Sequence, residues 1–286
     1  SVMTGDTFKV YSQKILCCTD GNIFNAIFMV NAYTGGLVWK ATSGGSSGGL
    51  ARDSHGDMKW SIPGKISAVD LNFDGFTDYL YAADLAGQVF RVDLDNHNEG
   101  ASDLVKRVAT LAQLGDGSGG DAGRRRFYEA PAITLGQRND NWLLRVALGS
   151  GYRAHPLDTQ ADEHFFVIED TSVLMDQAPS EVITDSDLLD VTSDASPDEA
   201  DLKSKSGWMI ELKGEGEKML SSPTIIQNTI YFTTYLPDTG LLNQTCTVQS
   251  KSRLYGVSAI NGAPQGLDGN NDGAVEDRYT ESTTEG

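Results

Sequence analysis

Three stretches of the sequence repeat one pattern of short β-strands, at residues 61–93, 130–170 and 222–257. Each copy has a proline-led strand, a second apolar strand and a third strand that carries an aromatic residue. A sheet tolerates a missing N–H donor at the start of a strand, so the prolines fit this pattern. Repeated units of three or four short strands are typical of propeller blades. The sequence therefore predicts an all-β fold, a modified β-propeller. The aromatic, Leu, Ile and Val side chains of the repeated strands should form its inter-sheet core.

Further strands and long insertions surround these copies. Residues 26–30 and 37–39 are apolar and flank a tight turn with two glycines, which predicts another strand pair. Long inter-blade insertions are expected, and the one at 176–205 is strongly acidic. We expect that insertion to be a mobile or weakly helical surface loop. The whole chain, 1–286, is predicted to be one propeller domain and a fragment of a longer protein.

The loop at residues 70–78 has the spacing of a calcium-binding loop. Oxygen-bearing side chains occupy loop positions 1, 3, 5 and 9, and Gly75 occupies position 6, where the chain must turn sharply. Ca²⁺ is a hard cation that prefers about six to eight oxygen ligands at roughly 2.3–2.6 Å. The predicted ligands are the side chains of Asp70, Asn72, Asp74 and Asp78 and the backbone carbonyl of Phe76.

This loop departs from a helical EF-hand in two ways. Position 12, which holds a bidentate Glu in an EF-hand, is Tyr81 here. The flanking residues 65–69 and 79–83 have the composition of strands rather than helices. The sequence therefore predicts a Ca²⁺ loop between two β-strands, with Asp78 completing the ligand shell. An acidic β-turn that binds no metal is the alternative.

A second loop near the end of the sequence, 268–277, shares part of this spacing. Loop positions 1, 3, 5 and 6 match the calcium pattern, and carboxylates follow at positions 9 and 10. The strand that should follow it is missing, so a polar turn without metal is an equal alternative. The candidate ligands are Asp268, Asn270, Asp272, Ala274 (through its carbonyl), Glu276 and Asp277.

The formal net charge of −18 limits the partners of the chain. It argues against nucleic acid, whose phosphates would be repelled. The arginine run at 124–126 is expected to pair with neighbouring carboxylates, although an anionic partner is the alternative. No apolar run approaches the roughly 20 residues that span a bilayer, so no transmembrane segment is predicted. The N-terminus also lacks the basic end and apolar stretch of a signal peptide.

Three separated stretches resemble the C-terminal propeller of PilY-type pilus-tip proteins. They are residues 79–94, directly after the calcium loop, residues 148–157, and residues 216–235. The three occur in the family's order, and the likeness extends from about Asn31 to Asn261. The resemblance implies a modified β-propeller. It also implies that the calcium ligands of the family fall on Asp70, Asn72, Asp74, the Phe76 carbonyl and Asp78.

The same resemblance implies a function in type IV pilus (fimbrium) biogenesis. Proteins of this kind act at the bacterial cell surface, at the pilus tip or in the periplasm and outer membrane. They couple calcium binding to pilus extension and retraction, and hence to twitching motility and cell adhesion. The implied partners are minor pilins or other pilus machinery, and a host or abiotic surface. The family's N-terminal adhesive region has no counterpart in this sequence.

Two other classes of function remain open at this point. Residues 31–39 resemble a blade motif of the quinoprotein dehydrogenases, which also use Ca²⁺ and can carry adjacent bonded cysteines such as Cys17 and Cys18. With Cys246 the chain has an odd number of cysteines, so at least one thiol lacks an internal partner. The sequence shows no arrangement of acids, bases or nucleophiles placed for catalysis, and we expect no enzyme. The other alternative is a purely structural module that Ca²⁺ stabilises.

Overall fold

The computed structural model describes residues 8–12, 25–43, 52–95, 104–115, 123–198, 200–237, 250–267 and 277–283. In this part of the chain the β-strands form four sheets that follow one another along the sequence. The first sheet contains β1 (Phe8–Ser12), β2 (Ala26–Asn31), β3 (Leu37–Thr42) and β4 (Arg52–Ser54). The second contains β5 (Ser67–Val69), β6 (Tyr79–Ala83), β7 (Gln88–Leu94) and β8 (Val105–Gln113).

The third and fourth sheets have five strands each. The third contains β9 (Ala132–Arg138), β10 (Asn141–Gly149), β11 (His164–Asp170), β12 (Leu189–Asp190) and β13 (Gly207–Glu211). The fourth contains β14 (Lys218–Met219), β15 (Thr224–Ile226), β16 (Thr229–Leu236), β17 (Lys251–Ser258) and β18 (Tyr279–Thr283). Short 3₁₀ turns are present at Val173–Met175, Asp185–Asp187 and Asp201–Ser204.

Each sheet is built mainly from antiparallel neighbours, as in a propeller blade. Only β4 on β3 and β12 on β13 pair in parallel among the described strands. The three predicted repeats fall on β5–β7, β9–β11 and β15–β17, and residues 26–39 form β2 and β3. Strands β5 and β9 lie side by side without pairing, as do β9 and β15. The all-β, modified β-propeller predicted from the repeats is therefore confirmed.

Three apolar layers lie between successive sheets. Alternate residues of one strand belong to two different layers, because neighbouring side chains point to opposite faces of a sheet. In β6, Tyr79 and Tyr81 pack towards the third sheet, whereas Leu80 and Ala82 pack towards the first. Between the third and fourth sheets, the Phe165 and Phe232 rings stack with their centroids 3.9 Å apart. The apolar positions of the repeats thus form the inter-sheet core, as predicted.

The acidic insertion is more ordered than the sequence indicated. It lies between β11 and β13 of one sheet, and its β12 pairs with β13. The side chains of Leu188, Val191 and Leu202 are buried in the layers on either side of that sheet. The backbone of Ile183 also bonds to that of β8 in the second sheet. The expectation of a mobile surface loop was therefore wrong at these positions, because apolar residues among the acids anchor the segment. The 3₁₀ turns at Asp185–Asp187 and Asp201–Ser204 agree with the weakly helical alternative.

In the described part of the chain, no helix has the length and apolarity needed to cross a membrane.

Candidate functional site

The predicted calcium loop connects β5 to β6 in the second sheet, as the sequence indicated. Its end is fixed by the backbone, since the Asp78 N–H donates to the Val69 carbonyl (2.8 Å) and the Leu94 N–H donates to the Asp78 carbonyl (2.8 Å). Thr77 is buried, and Leu71 packs against the core between the second and third sheets. The loop is therefore held at both ends by the sheet and its core.

Side-chain oxygens of the loop accept hydrogen bonds from its own backbone. Asp70 Oδ2 accepts from the Gly75 N–H at 2.9 Å. Asn72 Oδ1 accepts from the Asp74 N–H at 2.9 Å, and Asp74 Oδ1 accepts from the Phe76 N–H at 2.8 Å. Gly75 has a φ of 92°, a conformation that glycine adopts without a steric penalty. These bonds curl the loop and bring the predicted ligand residues around one turn of chain.

The donor set of this loop fits a hard cation in one specific respect. Asp70 Oδ1 is buried and has no hydrogen-bond partner. A buried carboxylate oxygen without a partner is costly, and a bound cation would remove that cost. The opposite end of the loop is closed by Asp78 Oδ2, which accepts from the Leu71 N–H at 2.7 Å. Among the described residues, however, no three His, Cys, Asp or Glu side chains converge on one point. The predicted ligands are thus brought into one turn, but not into a finished coordination shell.

A cavity of about 500 Å³ lies directly beside this loop. The loop contributes Asp70, Leu71 and Phe73 to its wall, and the strand β9 contributes Ile133 and Leu135. The Phe73 side chain is 83% exposed, and its φ of 61° is unusual for a residue other than glycine. Any change in the loop conformation would therefore alter the wall of an apolar cavity between the second and third sheets.

A buried ion network lies behind the loop and joins the same two sheets. The Arg91 guanidinium, fully buried, donates to Asp93 (2.7 Å) and to Asp170 (2.8 Å), and the Tyr81 hydroxyl donates to Asp170 (2.9 Å). Burial, followed by the nearby Asp170 carboxylate, raises the pKa of Tyr81 well above its ordinary value. Burial alone would lower the pKa of Arg91, but the two carboxylates outweigh it and the pKa is raised. Each of these charges has an opposite partner, so the network fixes the sheets together.

Sequence reasoning missed this network, although one signal was present. The sequence of β7 places two charged residues, Arg91 and Asp93, within an apolar strand. In the structure all seven residues of this strand are buried. A charge inside a buried strand requires a partner nearby. The partner Asp170 follows 77 residues after Asp93 in the sequence and cannot be identified from spacing.

Several predicted sites lie outside the described residues. In the second candidate loop these are Asp268, Asn270, Asp272, Ala274 and Glu276, and only Asp277 is described. The expectation that no strand follows this loop was wrong, because β18 (Tyr279–Thr283) begins two residues after Asp277 and pairs with β17. The three cysteines Cys17, Cys18 and Cys246 also lie outside the described residues.

Comparison with known proteins gives a likeness of fold. No family model matches the chain, and no curated protein matches it. Among solved structures, it is similar to the C-terminal domain of Pseudomonas aeruginosa PilY1, with a TM-score of 0.61 and 18% sequence identity. That match covers 91% of this chain and 61% of the PilY1 chain, so this chain spans less than two thirds of its length. BamB from Moraxella catarrhalis also matches, at 11% identity over 84% of this chain and 56% of that one, but the TM-score of 0.28 is too low to support an argument.

Proposed function

We propose that this chain is the calcium-binding β-propeller of a PilY-type type IV pilus protein, acting in pilus assembly or at the pilus tip. Two independent features support the proposal. The fold is like that of the PilY1 C-terminal domain over 91% of the chain. Three sequence stretches, the first directly after the calcium loop, resemble the same family in the same order. The proposed role is to bind and regulate rather than to catalyse.

In this proposal Ca²⁺ is held by Asp70, Asn72, Asp74, the Phe76 carbonyl and Asp78. Its charge would offset three carboxylates that lie within nine residues of one another. The observation that carries the assignment is the buried Asp70 Oδ1 without a hydrogen-bond partner. The second loop at 268–277 stays a prediction, because only Asp277 of its candidate ligands lies among the described residues.

The same loop offers a route from calcium to a partner. Because Asp70, Leu71 and Phe73 form part of a cavity wall, loosening of the loop without Ca²⁺ would change that surface. Repulsion among the carboxylates of the calcium-free loop supplies the driving force. A pilus component that contacts this face would then respond to calcium, which is how we propose that pilus extension, retraction and adhesion are regulated.

Isothermal titration with CaCl₂ tests the metal site. We expect one binding event for the wild-type chain, with a Kd between about 10⁻⁷ and 10⁻³ M, the range of sensor and extracellular calcium sites. The Asp78→Ala variant should lose this event and become more sensitive to proteolysis between residues 70 and 80. Asp140→Ala, which removes an exposed carboxylate from the β9–β10 turn, is the matched control and should bind like wild type. Unchanged calcium affinity in Asp78→Ala would show that the assignment is wrong.

A genetic experiment tests the pilus role. The encoding bacterium would carry either Asp78→Ala or Asp140→Ala in the full-length gene, and surface pili and twitching would be measured with and without chelator. We expect only the Asp78→Ala strain to lose the calcium dependence of twitching. If that strain keeps normal pili and normal calcium dependence while the purified variant binds no Ca²⁺, the ion is structural and the regulatory part of the proposal fails.

A further inference from the structure

A second cavity, of about 400 Å³, lies where the core between the second and third sheets ends. Leu144, Val146 and Leu148 of β10 belong to that core. Trp142, two residues before Leu144, points to the same side of the sheet because side chains alternate along a strand. It lines the cavity together with Leu111 of β8, and its side chain is 51% exposed. The apolar face of β10 thus continues beyond the closed core into an open cavity.

The Trp142 ring is presented by a rigid hairpin. A two-residue turn, Asn139 and Asp140 with φ of 49° and 64°, joins β9 to β10 and fixes Trp142 opposite Gln137. Within the described part of the chain, no group accepts a hydrogen bond from the indole N–H of Trp142. A half-exposed tryptophan on a fixed strand is prepared to contact a ligand without a large loss of conformational freedom.

The opposite wall is formed by the segment that follows β11. The 3₁₀ turn Val173–Met175 exposes Leu174 by 51% and Met175 by 63%, and both side chains line the cavity. The position of this turn is fixed, because the Tyr79 hydroxyl donates to the Val173 carbonyl at 2.5 Å. Large apolar side chains therefore face the cavity from two sides.

The two buried carboxylates of the cavity lining are each paired with an arginine. At its base, Arg138 pairs with Glu169 at 2.7 Å and Asp170 pairs with Arg91 at 2.8 Å. The Glu169 and Asp170 side chains are each only 1% exposed. The six charged residues of the lining are Arg138, Lys203, Lys205, Glu169, Asp170 and Glu181. Apart from these paired charges, the lining carries two positive side chains, Lys203 and Lys205, and one negative side chain, Glu181. No strong charge of one sign therefore selects an ionic ligand over a neutral one.

We propose that this cavity binds a neutral saccharide. A pyranose ring has one apolar C–H face that packs on an indole ring, and hydroxyl groups at its edge that need donors and acceptors. Trp142 supplies the ring, and Asn139, Asn141 and Ser180 of the lining supply amide and hydroxyl groups. The volume lies within the range of about 300–1,000 Å³ that is usual for small-molecule sites. None of these residues belongs to the calcium loop, so the site is independent of the function proposed above.

Saturation-transfer NMR and tryptophan fluorescence with defined sugars test this proposal. The probes are maltose, cellobiose, lactose and N,N′-diacetylchitobiose, with the anionic 3′-sialyllactose for comparison. We expect at least one neutral disaccharide to give saturable transfer to its ring protons, and binding to persist in EGTA. Trp142→Ala removes the apolar surface on which the sugar ring would pack and should weaken binding by about tenfold or more, whereas Trp142→Phe should lose less.

The controls separate loss of the site from loss of the fold. Trp60→Phe changes another partly exposed tryptophan, which lies under the Arg124 guanidinium at 4.5 Å, and should leave sugar affinity unchanged. Leu174→Lys alters the opposite wall and should weaken binding without moving the thermal midpoint of unfolding. The proposal is overturned if no neutral disaccharide binds, if only 3′-sialyllactose binds, or if a folded Trp142→Ala variant binds as tightly as wild type.

Discussion

A buried carboxyl in the second sheet should make the stability of this protein depend on pH in a specific way. Asp84 is fully buried at the turn between β6 and β7. Its Oδ1 accepts hydrogen bonds from the N–H groups of Ala86 (2.8 Å) and Gln88 (2.9 Å). Burial raises the pKa of the Asp84 carboxyl from 3.8 to about 7, against the opposing effect of these two bonds. Near neutral pH the folded protein therefore holds a carboxylate where ionisation is unfavourable.

The size of the effect follows from the shift in pKa. A change from 3.8 to about 7 corresponds to on the order of 4 kcal/mol at roughly 1.36 kcal/mol per pKa unit. Because the folded pKa is the higher one, the folded state binds more protons than the unfolded state between pH 4 and 7. The Asp84 contribution to stability is therefore complete below about pH 4 and is lost as the pH rises to about 7. The Asp84→Asn variant cannot ionise, and its amide oxygen can accept the same two hydrogen bonds.

Urea denaturation of the wild type and Asp84→Asn, measured from pH 4.5 to 8, tests this reasoning. We expect the free energy of unfolding of Asp84→Asn, relative to wild type, to rise between pH 4.5 and 7 and to level off above that. Taking the difference removes the contributions of other titrating groups. Asp140→Asn removes the same charge from an exposed turn and should change stability by no more than about 0.5 kcal/mol. A difference between Asp84→Asn and wild type that stays constant across this pH range would refute the argument.

Two further substitutions test the packing between sheets. Arg91→Met leaves the buried Asp170 carboxylate without its counter-charge and removes one of the two arginines that pair with Asp93, the other being Arg107. It should lower the free energy of unfolding by about 3–5 kcal/mol in urea denaturation. Arg153→Ala, in which the removed side chain is 57% exposed, should cost less than about 1 kcal/mol, and equal effects would contradict this reasoning. Gly87→Ala should lower the thermal midpoint clearly, because φ is +89° and a Cβ would lie 2.0 Å from the Leu114 carbonyl oxygen. Gly56→Ala meets no atom within 4 Å and should show no comparable loss in the same melting experiment.

The candidate calcium loop shows what the spacing of residues along the chain can predict and what it cannot. Its position between two strands and its hydrogen-bonded turn follow from nine consecutive residues, so the sequence was sufficient to predict them. Whether the oxygens form a coordination shell depends on side-chain orientation, which spacing does not determine. Occupancy by Ca²⁺ therefore stays a prediction, and the buried Asp70 Oδ1 is the structural feature that supports it.

The arginine run at 124–126 shows how contacts between residues distant in sequence depend on the packing of the sheets. The sequence predicted pairing with neighbouring carboxylates, and Arg125 does pair with Asp162 (3.4 Å) and Asp185 (3.9 Å). Both partners are distant in sequence, and Asp185 belongs to the acidic insertion. The guanidinium groups of Arg124 and Arg126 lie over the rings of Trp60 and Tyr152. Charge composition predicted that Arg125 would pair with carboxylates, but which carboxylates it pairs with depends on how the sheets pack.

By itself the sequence determined the strands of the three repeats, the alternation of their apolar faces and which residues of the loop carry oxygens. These depend on residues that are adjacent or two apart, and the geometry of a β-strand converts such spacing directly into position. Only the tertiary structure decided which buried charges meet, how the acidic insertion is anchored, and that Trp142 faces an open cavity. Those features depend on how separate sheets pack, and residues brought together across sheets share no spacing along the chain.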